Sequence, residues 1–367
     1  MTGAPTRTVV EPPAEKGNEP TVSMSHALPP APRVGLRTLS WGAALVVVLL
    51  LAALAPANVI SDFQFFQLNR VITFAIAIGG LNLLLGWAGT ISAGHGALFG
   101  IGAYTTAILV ADHGVPWPIA ALASLVVGLV VGALLGLPAL RLGGMNLGLI
   151  TLAIAMLLPP LLTRLDWLTG GPFGKTTPRV EAPEGLPFSS PQWLFLVNLV
   201  VLAVVFWLLA NMLRGRMGRA LDAAASSRVM AAAHAIPTNR ITVAVFAVSA
   251  AVAALAGALF HLSTRTSTPD SFTFLLSISL IAGAVVGGSR SFVGAIIGAA
   301  FVVFVPESLG EFVEPAAAGQ WQQVVYAAAL LLVIYFFPRG LAGLVRQARN
   351  RLVRRRSIHA RPQEAQS

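Results

Sequence analysis

Residues 79–104 read GGLNLLLGWAGTISAGHGALFGIGAY, an apolar stretch with eight glycines in twenty-six residues, where average usage of about 7% gives roughly two. Glycine at this density destabilises a soluble helix, because folding must order the extra backbone freedom that each one brings. In lipid the balance reverses, since small residues let helix backbones approach closely and close approach drives association. The uncharged run is longer still, forty-one residues from Val71 to Ala111, against the roughly twenty that one crossing needs. The chain therefore turns within this run, inside or at the edge of a bilayer. The polar cluster from Trp87 to His95, with Thr90, Ser92 and His95 set among Gly86, Gly89, Gly94 and Gly96, marks the turn.

Composition extends this reading to the whole chain: 56% hydrophobic, 10% charged and seven tryptophans available for interfacial positions. The expected fold class is an all-α polytopic integral membrane protein. The absence of cysteine excludes disulfides, thiolate metal sites and cysteine nucleophiles. Residues 1–37, with seven prolines and little apolar periodicity, read as a disordered tail. A transmembrane domain spans about 38–345, and 346–367 form a basic tail. Crossings are expected at about 39–57, 65–85, 94–111, 117–139, 145–165, 192–213, 240–262, 273–288, 292–309 and 322–338, some short or broken at glycine or proline. Ten crossings place both termini on one side.

Basic residues choose that side. With the termini in the cytoplasm, nineteen of the 24 Lys and Arg fall inside, and only Arg70, Arg164, Lys175, Arg179 and Arg265 lie outside or near the outer surface. The loop at 166–191 is then external, and the loop at 214–240, RGRMGRALDAAASSRVMAAAHAIPTNR, is cytoplasmic. Alanine favours helix in the latter and Pro237 stops it. It reads either as a solvated surface helix or as a docking element for a cytoplasmic partner.

Several features read as packing. Gly128, Gly132 and Gly136 share one face of the fourth crossing, and Gly96 with Gly100, or Gly294 with Gly298, repeats the small-xxx-small spacing. Pro159 and Pro160 should break or kink the fifth crossing. His95 could touch substrate or relay protons, but its place beside glycines at a helix break favours a hydrogen-bonded packing role. His261 is expected at the outer interface, and Glu307, Glu311 and Glu314 in a solvated outer loop. No carboxylate sits in mid-span, so energy coupling comes from outside the chain rather than from a proton or sodium site. The external segment TGGPFGKT (169–176) fails as a phosphate-binding loop, because Thr169 stands where the first glycine is required. No catalytic motif argues for an enzyme, and the arginine-rich tail, without interleaved aromatics, suits anionic lipid rather than nucleic acid.

The segment GLNLLLGWAGTISAGHGALFGIGAY (80–104) closely resembles the signature of branched-chain amino acid ABC transporter permeases of the LivM type, which read like GLNLLLGYAGQLSLGHAAFFGIGAY. Similarity continues through 140–153, 168–171, 218–260, 281–299 and 336–344. The resemblance implies a multi-pass subunit in a bacterial plasma membrane, paired with a LivH-type permease, two cytoplasmic ABC ATPases that use ATP and Mg, and an extracytoplasmic solute-binding protein. No cofactor is expected on this chain itself. The segment from Gly218 to Ile236 matches the family's coupling loop, with Arg219, Asp222, Arg228 and His234 as its functional side chains. Asn82, Thr90, Ser92, His95 and Thr151 are the residues expected to line or shape the path. Thr90 replaces the family's usual glutamine and Gly96 its usual alanine. The implied cargo is a branched-chain or other hydrophobic amino acid; the alternatives are urea, short amides or other small solutes, or a stand-alone secondary carrier.

Overall fold

The computed structural model describes residues 61–140, 144–185, 188–226, 237–310 and Ala328. The expected tails, the crossing at 39–57 and, save Ala328, that at 322–338 lie outside these residues, as do Arg228, His234, Ile236, Glu311 and Glu314. Helix α1 (Asp62–Asn82) begins at Ser61, whose hydroxyl accepts the Gln64 amide while the Gln64 side chain accepts the Ser61 amide. This reciprocal cap satisfies two otherwise orphaned groups. From Val71 onward α1 is buried on every side, as a helix apolar all round should be. Its end widens into a π-helical segment, Leu83–Ala88, which stops at Gly89 with φ 64°, a left-handed value that glycine adopts without a Cβ clash. Helix α2 (His95–Ala111) starts after Gly94. The expected turn is thus present from Gly89 to Gly94, with Trp87 and Ala88 still in the π segment.

Helices α3 (Trp117–Gly136), α4 (Gly144–Arg164), α5 (Ser190–Arg214), α6 (Arg216–Ser226), α7 (Thr238–Thr264), α8 (Phe274–Gly287) and α9 (Phe292–Gly310) follow. Among the described residues six segments are long and apolar enough to cross a membrane by length and composition, while α2 and α9 are shorter apolar helices. The architecture is therefore all-α and polytopic. Eight expected crossings coincide with these eight apolar helices.

Helix α7 is the hub, packed against α1, α2 and α3, and α8 and α9 pair with each other against α1. Glycine sets the spacing: a Cβ at Gly102 would collide with the carbonyl of Ala254, and one at Gly257 with the carbonyl of Phe99. The α2–α7 crossing is thus closed from both sides by backbone. Gly128 and Gly132 of α3 face Ala254 and Ala250 of α7, and Gly294 and Gly298 of α9 face Gly287 and Gly283 of α8, as the small-residue spacing indicated. Ser124 adds polar glue, donating to the Gly102 carbonyl at 3.0 Å and lying 2.7 Å from the Thr106 hydroxyl. Outward faces of α3, α4 and α5 carry exposed Leu122, Val130, Leu149, Met156, Val204 and Trp207, an apolar surface suited to lipid or a partner subunit.

Successive helices run between two ends. At the end holding Asp62, Asp112 pairs with Lys175, and the two-residue strands β1 (Lys175–Thr176) and β2 (Thr266–Ser267) pair antiparallel. The opposite end gathers Gly86, Asp222 and Arg290.

Three expectations are corrected here. Of the break or kink expected at Pro159 and Pro160, the break is absent, since helix α4 continues through both; Thr163 donates to the Pro159 carbonyl at 3.0 Å, a side-chain bond of the kind that satisfies backbone near proline in membrane helices. His261 is fully buried rather than interfacial, its ring nitrogens 2.7 Å from the Ser267 hydroxyl and 3.1 Å from that of Thr177. It clamps β2 and the segment after β1 to α7. Glu307 belongs to α9 itself, not to a loop beyond it.

Candidate functional site

All five expected path residues, Asn82, Thr90, Ser92, His95 and Thr151, are buried around the helix break. Their cohesion comes from the hydroxyls of Ser92 and Thr151 together with those of Ser249 and Ser277, which the sequence did not single out. His95 Nε2 lies 2.9 Å from the Ser249 hydroxyl of α7, and that hydroxyl donates to the Gly80 carbonyl of α1 at 2.6 Å. Having spent its proton on Gly80, Ser249 accepts from Nε2–H, which leaves Nδ1 to accept from Ser92 at 3.1 Å. A neutral ring thus satisfies every group and stitches α2 to α7 and, through Ser249, to α1. That is the packing role that the neighbouring glycines pointed to.

Thr151 ties α4 to the break: its hydroxyl accepts the Ala93 amide at 3.0 Å and donates to the Gly148 carbonyl at 2.9 Å. The Gly96 amide, one of the orphan donors in the first turn of α2, donates to the Ser277 hydroxyl of α8 at 2.9 Å. A Cβ at position 96 would stand 2.7 Å from that hydroxyl, so glycine here lets α8 approach. Asn82 Nδ2 reaches the Ser291 carbonyl at 3.4 Å. Asn82 Oδ1 and the Thr90 hydroxyl are buried with no hydrogen-bond partner among the described residues. Such groups are costly in an apolar interior. They are the two path candidates with polar capacity to spare.

Beside this cluster lies α6, which belongs to the expected coupling loop. Its Leu221 is buried, and the helix packs on α5, α7 and the π segment. Gly218 abuts the Leu213 carbonyl, where a Cβ would collide, and Arg219 Nη1 donates to the Arg214 carbonyl at 3.4 Å. Asp222 lies 3.7 Å from Arg290, whose Nε donates to the Gly86 carbonyl at 2.6 Å. Arg290 was legible only as a topological charge. Its isolation in a short turn between two apolar helices was the available signal. No group of three or more His, Cys, Asp or Glu that could hold a metal occurs among the described residues.

A polytopic helical bundle with small-residue crossings, a polar helix break and a charged helix beside it suits a membrane transport component. The family model for the branched-chain amino acid transport system permease component matches residues 64–334, and the chain belongs to that family. It is 28% identical over 82% of its length to the high-affinity branched-chain amino acid transport system permease protein LivM of Salmonella typhimurium, covering 75% of that protein. It is 29% identical to BraD of Pseudomonas aeruginosa over 74% of this chain and 92% of the relative. With LivH of Salmonella typhimurium the identity is 26%, over 74% of this chain and 91% of the relative. No solved structure gives a significant match.

Proposed function

We propose that this chain is the membrane-spanning permease subunit of an ATP-driven importer for branched-chain or other hydrophobic amino acids; its relatives LivM, LivH and BraD are named for branched-chain amino acid transport. It crosses a bacterial plasma membrane ten times with both termini in the cytoplasm, an orientation supported by the excess of basic residues on that side. Residues 1–37 and 346–367 are cytoplasmic tails around the permease domain. The end holding Asp62 faces outward, toward a solute-binding protein, and the end holding Arg290 faces two ATPase subunits that bind ATP and Mg. A LivH-type permease completes the bundle. Residues 214–240 form the coupling loop, with Arg219, Asp222, Arg228 and His234 as its functional side chains and Gly218 and Ile236 shaping it. Asn82, Thr90, Ser92, His95 and Thr151 shape the path.

The observation that carries this reading is the chain of contacts from Asp222 in α6, through Arg290, to the Gly86 carbonyl in the π segment next to the polar break. A movement of α6 imposed by an ATPase has a direct route to the core. The two states would be outward and inward openings of the paired permeases. Replacing Arg219 and Asp222 together is expected to uncouple ATP hydrolysis from uptake while the protein remains in the membrane. The measurement is leucine uptake and ATPase activity in proteoliposomes holding both permeases, the ATPases and the binding protein. Undiminished uptake by the double variant removes the coupling role. Gradient-driven transport by the purified chain alone would replace the importer reading with a secondary carrier.

A further inference from the structure

A cavity of about 250 Å³ opens at the end holding Asp62, between the start of α1, the start of α5 and the end of α7. We infer that it is an entry site for an α-amino acid zwitterion with an apolar side chain; this rests on the importer reading and names where the cargo first meets this chain. Leu194 and Leu262 line it, buried beside Asn69. Asn69 is fully engaged, donating to the Pro191 carbonyl at 3.0 Å and accepting from Asn198 at 2.7 Å. It fixes the gap between α1 and α5.

The rim carries complementary charges. Arg179 and Arg265 are exposed, and neither has a carboxylate within 4.0 Å among the described residues. Arg265 is held in place by its backbone: φ is 67°, its amide donates to the His261 carbonyl at 2.6 Å, and its carbonyl accepts the Thr177 amide at 2.9 Å. Asp62 stands on the same rim with one carboxylate oxygen accepting from Ser189 at 2.7 Å. Two guanidinium groups suit one carboxylate, the carboxylate of Asp62 suits an ammonium, and Leu194 and Leu262 suit an aliphatic side chain. A solute lacking the free carboxylate leaves both arginines unanswered and is discriminated against.

The test uses L-leucine and leucinamide on the purified chain in nanodiscs of phosphatidylethanolamine and, separately, phosphatidylcholine, with uptake measured in the reconstituted four-component system. Arg265→Gly removes the guanidinium while relieving the left-handed backbone, so folding is retained and the melting temperature does not fall. Leucine binding is expected, leucinamide binding is not, and Arg265→Gly and Arg179→Gln each weaken leucine binding by about tenfold or more. Equal binding of leucine and leucinamide, or unchanged leucine binding in both variants, overturns the site. Leucine binding absent in either lipid does the same, and the rim arginines would then serve lipid headgroups. Arginine-dependent leucine binding with no ATP-driven uptake by the wild type would instead keep the site and remove the importer reading.

Discussion

Arg290 Nε donates to the Gly86 carbonyl at 2.6 Å, so one side chain in the turn between α8 and α9 holds the last π turn of the helix that ends at the polar break. Its guanidinium also faces Asp222 at 3.7 Å, with both side chains partly exposed. A pair so placed contributes at most about 1 kcal/mol to stability. Its value in transport lies in connecting α6 to the break. Arg290→Ala strips the Gly86 carbonyl of its donor as well and should cost about 1–3 kcal/mol, while uptake per folded protein falls by about tenfold, within the usual range of coupling energies, with ATP hydrolysis persisting. Normal uptake per ATP hydrolysed in this variant would show that the contact transmits nothing.

The α2–α7 crossing gives a prediction about folding alone. Gly102 has the carbonyl of Ala254 where its Cβ would go, whereas at Gly148 in α4 the nearest atom to an added Cβ is the Ile91 carbonyl at 3.6 Å. Gly102→Ala should cost about 1–3 kcal/mol by overpacking against backbone that cannot give way. Gly148→Ala should be neutral or mildly stabilising, because alanine is the better helix former. Thermal unfolding of the two variants in the same detergent checks the difference. Equal melting temperatures would mean that the crossing is looser than the structure has it.

Much of this architecture was readable in the sequence, and the reason is specific to lipid. Val71 to Ala111 could only be two crossings with a turn because its length exceeds the bilayer, and Gly128, Gly132, Gly294 and Gly298 revealed helix contacts because small residues are what membrane helices pack with. The partners of the polar residues were not readable. Ser249, Ser277 and Ser291 meet His95, Gly96 and Asn82 from 154, 181 and 209 residues away, and hydropathy treats a lone serine as nearly neutral. His261 misled for the same reason: its place near a helix end suggested an interface, yet Thr177 and Ser267 fold over it. Pro159 and Pro160 signal a break by local rules, but α4 carries on through them.

His261 should thus matter to the end holding Asp62 rather than to transport chemistry. Both ring nitrogens are hydrogen-bonded in a buried setting, so His261→Phe keeps the volume but strands the Thr177 and Ser267 hydroxyls. The cost expected is about 1–3 kcal/mol for unsatisfied buried groups. Lys175→Ala, which breaks only a partly exposed ion pair with Asp112, should cost under about 1 kcal/mol. Limited proteolysis between 166 and 185 is the readout, with faster cleavage in His261→Phe than in Lys175→Ala. The reverse order would place the clamp in the ion pair.

Thr90 separates a packing role from a path role. Its hydroxyl is buried with no partner among the described residues, so replacing it by the isosteric Val removes a desolvated polar group and should leave stability unchanged or raise it by up to about 1 kcal/mol. If the hydroxyl serves the passing solute, Thr90→Val lowers uptake while the melting temperature holds or rises. Ser249→Ala acts in the opposite sense, since it strips His95 and Gly80 of a shared partner and should cost about 1–3 kcal/mol. Its loss of uptake would then scale with loss of folded protein. Uptake corrected for folded protein therefore falls in Thr90→Val and not in Ser249→Ala, and the same corrected uptake in Thr90→Val as in wild type would assign position 90 to packing alone.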